Sequence, residues 1–250
     1  MRTERRNFLD VGFDVAPMNQ LLAQIAEFGA GTPYGYLVTP NVDHLVRLHG
    51  KHADVPGLAE IYRRARFCTC DSKVLVRLAK WRGVDLPVVP GSDIAALMFE
   101  KVIQPGDRVA IVGGDDALLA GLRARFADVE FAQHQPPMGL MQNPTARRAA
   151  AEFIAAQKPR FTFIRVGSPQ QELIASEAAG IEGSSGLALC IGAALDFITG
   201  SQKRAPLLAR RLGLEWAHRL LTNPRRMWRR YLVEGPAIFL IAYRWRRSAA

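Results

Sequence analysis

What most restricts the fold of this chain is an alternation, over its first 200 residues, of short β-branched or apolar runs with amphipathic stretches. Residues 36–39, 66–69, 108–112, 129–132, 161–166 and 187–191 read as strands. Residues 42–50, 73–81, 93–101, 117–126, 144–157 and 169–179 read as the helices between them. Strand–helix alternation implies right-handed crossovers and a mostly parallel sheet covered on both faces. The expected fold is therefore a doubly wound, Rossmann-like α/β fold, in which ligands sit beyond the carboxyl ends of the strands.

From about residue 200 the pattern becomes helical only, and charge marks the same boundary. Residues 1–202 hold 21 Lys plus Arg and 21 Asp plus Glu, whereas residues 203–250 hold 12 basic residues against Glu215 and Glu234. The whole net charge of +10 thus lies in the last 48 residues, and eleven of the twelve basic residues are arginine. Such asymmetry points to a polyanionic partner: nucleic acid, anionic lipid or a phosphorylated substrate. Two units follow, an α/β catalytic domain over 1–202 and a helical, Arg-rich C-terminal appendage over 203–250. Asn223 is expected to cap a helix that opens at Pro224. On a helical wheel Met227, Trp228, Tyr231 and Leu232 share one arc, with Arg226, Arg229 and Arg230 opposite and Arg225 on the border. A second short helix is expected from Pro236, finishing in Arg244-Trp245-Arg246-Arg247. Trp and Tyr beside Arg suit a water–lipid interface.

No apolar run reaches signal-peptide or bilayer-spanning length. The three cysteines, Cys68, Cys70 and Cys190, have no zinc spacing and read as small buried hydrophobes in a reducing compartment, taken as the cytoplasm. No glycine fingerprint for dinucleotides follows any strand, which disfavours a nicotinamide-dependent oxidoreductase on the same scaffold, and no Walker loop, GxSxG elbow or HExxH occurs. No Asp-x-Asp pair is present to hold a metal–diphosphate, so metal catalysis is disfavoured and no cofactor is expected.

Four strand ends carry polar chemistry. Thr39-Pro40-Asn41-Val42-Asp43-His44 can bind a sugar or nucleotide, or cap the next helix. Asp71, in Cys70-Asp71-Ser72, can take a proton from an attacking hydroxyl, or cap the helix near Lys73. Gly113-Gly114-Asp115-Asp116 lets the backbone approach a phosphate, though two aspartates oppose an anion there. In Gly167-Ser168-Pro169-Gln170-Gln171-Glu172, amide and carboxylate groups can fork around sugar hydroxyls, while Glu172 also suits a helix amino terminus.

The Thr39–His44 motif, the Asp71 turn and the Gly167–Glu172 motif, followed by Gly192-Ala193-Ala194-Leu195-Asp196-Phe197, Lys203-Arg204-Ala205-Pro206, Arg211-Leu212-Gly213-Leu214-Glu215-Trp216 and Pro224-Arg225-Arg226-Met227-Trp228-Arg229-Arg230-Tyr231, resemble in content and order the WecG/TagA/CpsF glycosyltransferase family. The resemblance covers nearly the whole chain. It implies an inverting, metal-independent transfer from a UDP-sugar donor to an undecaprenyl-diphosphate-linked saccharide, at the cytoplasmic face of the bacterial plasma membrane. Carried over by position, Asp71 is the candidate base, with Asp196 the alternative. Thr39 and Asn41 become pocket residues, Gln171 a donor contact and Asp196 an aspartate near the site. Arg225, Arg226 and Arg229 become ligands of the lipid diphosphate. Ser72-Lys73 replaces the Asp-Gly turn of the teichoic-acid and enterobacterial-antigen members and looks more like the exopolysaccharide branch, which implies a hexose donor. Arg165 stands where the family usually has a small residue. A non-catalytic nucleic-acid-binding module is the rival reading of the tail. Interleaving of its arginines with Trp, Leu and Ile favours an anionic membrane surface over nucleic acid. A homo-oligomer is compatible with the sequence.

Overall fold

The computed structural model describes residues 3–29, 31–50, 55 and 57–246. A two-stranded antiparallel hairpin, β1 (Arg5–Phe8) and β2 (Val11–Asp14), precedes helix α1 (Met18–Ala26). There follow β3 (Gly35–Val38), α2 (Val42–His49), α3 (Leu58–Arg64), β4 (Phe67–Cys68), α4 (Lys73–Trp81) and α5 (Gly91–Lys101). Next come β5 (Arg108–Val112), α6 (Asp116–Arg125), β6 (Glu130–His134), α7 (Pro144–Gln157), β7 (Phe161–Ile164), α8 (Gln170–Ala179), β8 (Leu187–Cys190) and α9 (Ala194–Thr199). The tail comprises α10 (Leu207–Leu212), α11 (Glu215–Thr222), α12 (Pro224–Trp228), a π-helical turn (Arg229–Glu234) and α13 (Ala237–Arg244).

Strands β3 to β8 form one parallel sheet in the order β4-β3-β8-β7-β5-β6. Every strand expected from the sequence is present, with ends displaced by a residue or two. The hairpin, α1, α3 and α9 were not foreseen. Hairpin strands of four residues and short helices give periodicity too few repeats to register.

The pleat sorts side chains to two cores. Val38, Ile164 and Cys190 face one side, against Leu45 of α2, Tyr62 of α3, Ile154 of α7 and Ile174 of α8. Leu37, Phe163 and Leu189 face the other, against Ile25 of α1, Met98 of α5, Leu122 of α6 and Leu195 of α9. Each fully buried side chain of this size contributes about 1.5–3 kcal/mol, so neither face tolerates being uncovered. The three cysteines are buried free thiols, as expected.

The tail departs from the amphipathic-wheel reading. The π-helical turn over Arg229–Glu234 breaks the assumed 100° period, while Trp228 and Leu232 are exposed, which an arc turned outward allows. Asn223 makes no capping hydrogen bond, although Pro224 does occupy the first helical turn. Trp245 was expected at a lipid interface. Instead it is buried edge-on against Phe8 at 5.3 Å, with its indole Nε1 donating to Asp10 Oδ1 at 3.4 Å. Ile238 and Ala242 of α13 are buried in the same core. Arg247 lies outside the described residues. No described helix is long and apolar enough to cross a membrane.

The docking of Trp245 yields a stability prediction. Trp245→Ala should cost about 3 kcal/mol through the cavity it leaves, read as a lower denaturation midpoint at unchanged m-value.

Candidate active site

At the carboxyl edge of the sheet, the chain leaving β3 and β7 passes to the α2/α8 face. The chain leaving β8 and β5 passes to the α9/α6 face. Neighbouring strands across the middle of the sheet thus send their loops in opposite directions, which opens a furrow along the edge. All four polar strand ends border it.

After β3, Thr39 is buried, its Oγ1 donating to the Cys190 carbonyl at 3.4 Å. Gly91 packs closely on it: a Cβ there would lie 3.1 Å from Thr39 Oγ1, so a larger residue would push on the Thr39 side chain. Asn41 caps α2, its Oδ1 accepting from the Asp43 amide at 3.0 Å, so the capping alternative is realised. Its side chain nevertheless remains only half-buried. Gln171 is turned inward. Its Nε2 donates to Glu172 Oε1 at 2.9 Å and to the Cys190 carbonyl at 3.2 Å, while its Oε1 accepts from the Gly192 amide at 3.0 Å. In this arrangement Gln171 ties the β7 and β8 loops together rather than reaching into the furrow.

Asp71 follows β4, its amide donating to the Pro40 carbonyl at 3.1 Å, which joins its turn to the Thr39 loop. Ser72, not Asp71, caps α4. The surrounding protein lifts the Asp71 carboxyl to about 7. Desolvation is the main cause, aided by Glu215 and Asp93, while Arg219 and a hydrogen bond from the Gly91 backbone pull it down. A carboxyl poised there is matched to proton transfer near neutral pH. Arg219 and Glu215, both from α11, were not singled out from the sequence. Nothing local marks them, because their importance comes from the tail folding back over β4.

Asp196 is buried and fully engaged. Arg165 grips it with two hydrogen bonds, Nε to Oδ1 at 3.0 Å and Nη2 to Oδ2 at 2.7 Å, and Gln202 Nε2 adds a third at 3.0 Å. The unusual Arg165 is thus committed to Asp196. Gly113 backs the Arg165 carbonyl so closely that a Cβ would lie 3.0 Å from it, and Asp115 caps α6.

Other tail arginines than those predicted meet the furrow. Arg225 is exposed, and Arg229 is exposed and paired to Glu234 at 3.0 Å. The side chain of Arg226 lies outside the described residues. Instead Arg230 reaches Asp43 at 3.2 Å, and Arg204 and Arg210 converge on Asp93 at 2.6 and 3.2 Å. Arg47 shares Asp43 at 3.1 Å and donates to Ser168 Oγ at 3.3 Å. The cluster is legible in hindsight as the few acidic residues of the edge drawing in tail arginines. A cavity of about 580 Å³ opens elsewhere, lined by Tyr34, Gly35, Arg64 and Arg66 at the amino ends of the strands. None of the predicted site residues lines it.

A parallel α/β sheet whose carboxyl-edge furrow holds a near-neutral carboxyl and is flanked by arginines has the layout of a group-transfer enzyme. Residues 6–250 match the model of the glycosyl transferase WecG/TagA/CpsF family, and the chain belongs to that family. It is therefore a glycosyltransferase, with a role in surface polysaccharide synthesis.

The electrostatics predict opposite shifts for two tail variants. Arg219→Ala removes a charge that favours the carboxylate and should raise the Asp71 pKa. Glu215→Gln removes a like charge and should lower it. Carboxyl ¹³C titration of the full chain measures both, and a shift of either in the reverse direction would contradict the contact of α11 with Asp71.

Proposed function

We propose that this chain is an inverting, metal-independent hexosyltransferase. It moves a sugar from a UDP-sugar to an undecaprenyl-diphosphate-linked saccharide at the cytoplasmic face of the bacterial plasma membrane. The observation that carries the reading is Asp71, a carboxyl held at about 7 on the furrow, within the influence of Arg219. In its ionised form Asp71 takes the proton of the acceptor hydroxyl as that oxygen attacks the anomeric carbon. The bond from that carbon to the diphosphate oxygen breaks on the opposite side, its electron pair leaving with UDP. Asp196, saturated by three hydrogen bonds, is less suited to accept a proton.

With no Asp-x-Asp pair, neutralisation of the leaving diphosphate falls to arginine, whose planar fork matches phosphate oxygens. Thr39 and Asn41 contribute to the sugar pocket, and Gln171 holds the donor-side loops in register. The tail supports peripheral attachment to a membrane. Leu208, Leu221, Trp228, Phe239, Leu240 and Tyr243 are exposed apolar side chains within the segment that carries the whole positive excess. Exposed Arg225, Arg226 by its position and Arg229 are assigned to the acceptor's lipid diphosphate at that surface.

UDP release from a panel of UDP-sugars, with a short-chain lipid-diphosphate saccharide as acceptor, tests the reading directly. Asp71→Asn should lower turnover by about 10²–10⁴-fold with little change in UDP affinity. Near-normal turnover would move the base elsewhere. Since the base must be ionised, kcat/KM should rise with pH through about 7 and level off above it. Activity should survive excess chelator. On the soluble acceptor, where membrane binding contributes nothing, joint replacement of Arg225, Arg226 and Arg229 by Ala should still raise the acceptor KM. Full activity there would reduce these arginines to an anchor.

A further inference from the structure

Along β7 the side chains alternate between the two cores, Phe163 facing the α9/α6 side and Ile164 the α2/α8 side. Arg165, the first residue beyond the strand, continues the Phe163 row, and its side chain accordingly runs to Asp196 of α9. The ladder sets Ile164 level with Val112 of β5 and Cys190 of β8, so Arg165 stands between the start of the Gly113 loop and the start of the Ile191-Gly192 loop. Both of those loops turn to the α9/α6 face, while the chain after Arg165 turns to α8. Side chains are sparse at this point of the furrow. A Cβ on Gly167 would meet nothing within 4 Å, and one on Gly192 would meet only Gln171 Oε1, at 3.9 Å.

Two nitrogens of the guanidinium, Nε and Nη2, are engaged on the Asp196 carboxylate. The third, Nη1, makes no hydrogen bond among the described residues, and it is not one of the unpartnered atoms closed off from solvent. It is therefore an open donor. The Arg165 side chain is 27% exposed and that of Asp196 only 3%, so the carboxylate is the buried partner. In a planar guanidinium held along its Nε–Nη2 edge, Nη1 points directly away from the carboxylate, and the grip leaves it little freedom to turn. Gln202 adds a further hydrogen bond to Asp196 Oδ2, which keeps the aspartate itself in place. An oxygen acceptor arriving at Nη1 meets a donor whose direction is already set, with little ordering left to be done on binding.

We infer that Arg165, aimed by Asp196, is a ligand of the donor's diphosphate and gives Nη1 to one of its phosphate oxygens. The inference rests on the glycosyl-transfer reading and names an arginine that meets the leaving group. Spacing along the edge supports it. A hydrogen bond from the Gly91 backbone, at the start of α5, holds the Asp71 carboxyl on the side of the sheet that α5 and α9 cover, the same side as the Arg165 guanidinium. Strands β3 and β8 lie between β4 and β7, so Asp71 and Arg165 leave the sheet three strand spacings apart, about 14 Å. Base, acceptor oxygen, anomeric carbon, leaving oxygen, phosphorus and guanidinium in line span about 10–13 Å when each hydrogen bond or reacting contact is near 3 Å. A base over β4 thus calls for a diphosphate ligand near β7.

Calorimetric binding of inorganic pyrophosphate, UDP and uridine to the full-length chain, with no acceptor present, tests it. Arg165→Ala should weaken pyrophosphate and UDP by about 10- to 100-fold, the worth of hydrogen bonds to a charged group, and leave uridine unchanged. Arg165→Lys keeps a charge but not the two-point grip on Asp196, and should recover only part of the loss. Arg165→Ala leaves a buried carboxylate without its partner, so Arg165→Met combined with Asp196→Leu serves as a second variant with no stranded charge. It should lose diphosphate binding to the same extent. Asp196→Asn retains one acceptor oxygen and should weaken UDP while sparing uridine, a pattern that loosened packing does not produce. Unchanged pyrophosphate and UDP binding in Arg165→Ala and in the double variant, or a loss shared equally by uridine, overturns the inference. So does an effect confined to the KM of the lipid-linked acceptor, which would put Arg165 on the acceptor's diphosphate. Arg165-dependent pyrophosphate binding in a chain that turns over no UDP-sugar would sink the proposed function instead and keep Arg165 as a diphosphate ligand.

Discussion

All six strands of the main sheet run the same way, and most of the molecule follows from that. A parallel sheet cannot leave a face in water when its strands are apolar on both sides, as the alternation of Leu37 with Val38 and of Phe163 with Ile164 demands here. Helices must cover both faces, and every strand must return through a crossover. All carboxyl ends therefore fall on one edge. Loops leaving β3, β8, β7 and β5 by turns to opposite faces cannot fill the space between them, and that unfilled space is the furrow. Residues more than a hundred positions apart, such as Thr39 and Cys190, meet there because the ladder puts them in register.

Electrostatics at this edge divides its carboxylates into two kinds. Asp43, Asp93, Glu172 and Asp196 each have an arginine or histidine in direct contact. Such pairs orient loops and leave little freedom for proton exchange. Asp71 is different: Arg219 acts on it without a direct ion pair among the described residues, and two acidic neighbours oppose that influence. Burial then dominates, and the carboxyl rises into the range where it can both hold and release a proton. One carboxyl of the edge keeps a raised pKa while its neighbours are held in ion pairs.

The tail belongs to this balance. Its last helix fills the core beside the hairpin, and its arginines close on Asp43 and Asp93 at either side of the Thr39 loop. Glu215 and Arg219 tune the carboxyl that the core supplies. A segment that carries the entire positive excess thus spends part of it on acidic residues of the site. Its other apolar side chains, among them Leu208, Leu221, Trp228 and Phe239, stay exposed.

The alternation of apolar runs with amphipathic stretches determined the α/β class, the parallel sheet and the strand ends where polar loops gather, because period and turn chemistry are local properties. The polar motifs named Thr39, Asn41, Asp71, Gln171 and Asp196, and all five lie along one edge. Only the tertiary structure decided what each does there. Gln171 faces inward, Asp196 is bound by Arg165, and Asn41 is taken up in capping α2 beside the His44 ring. The tail was the least legible part. A helical wheel assumes a constant period, which the π-helical turn violates, and an aromatic beside arginines reads the same whether its partner is lipid or Phe8. Burial and charge compensation depend on residues distant in the chain, and no local pattern encodes them.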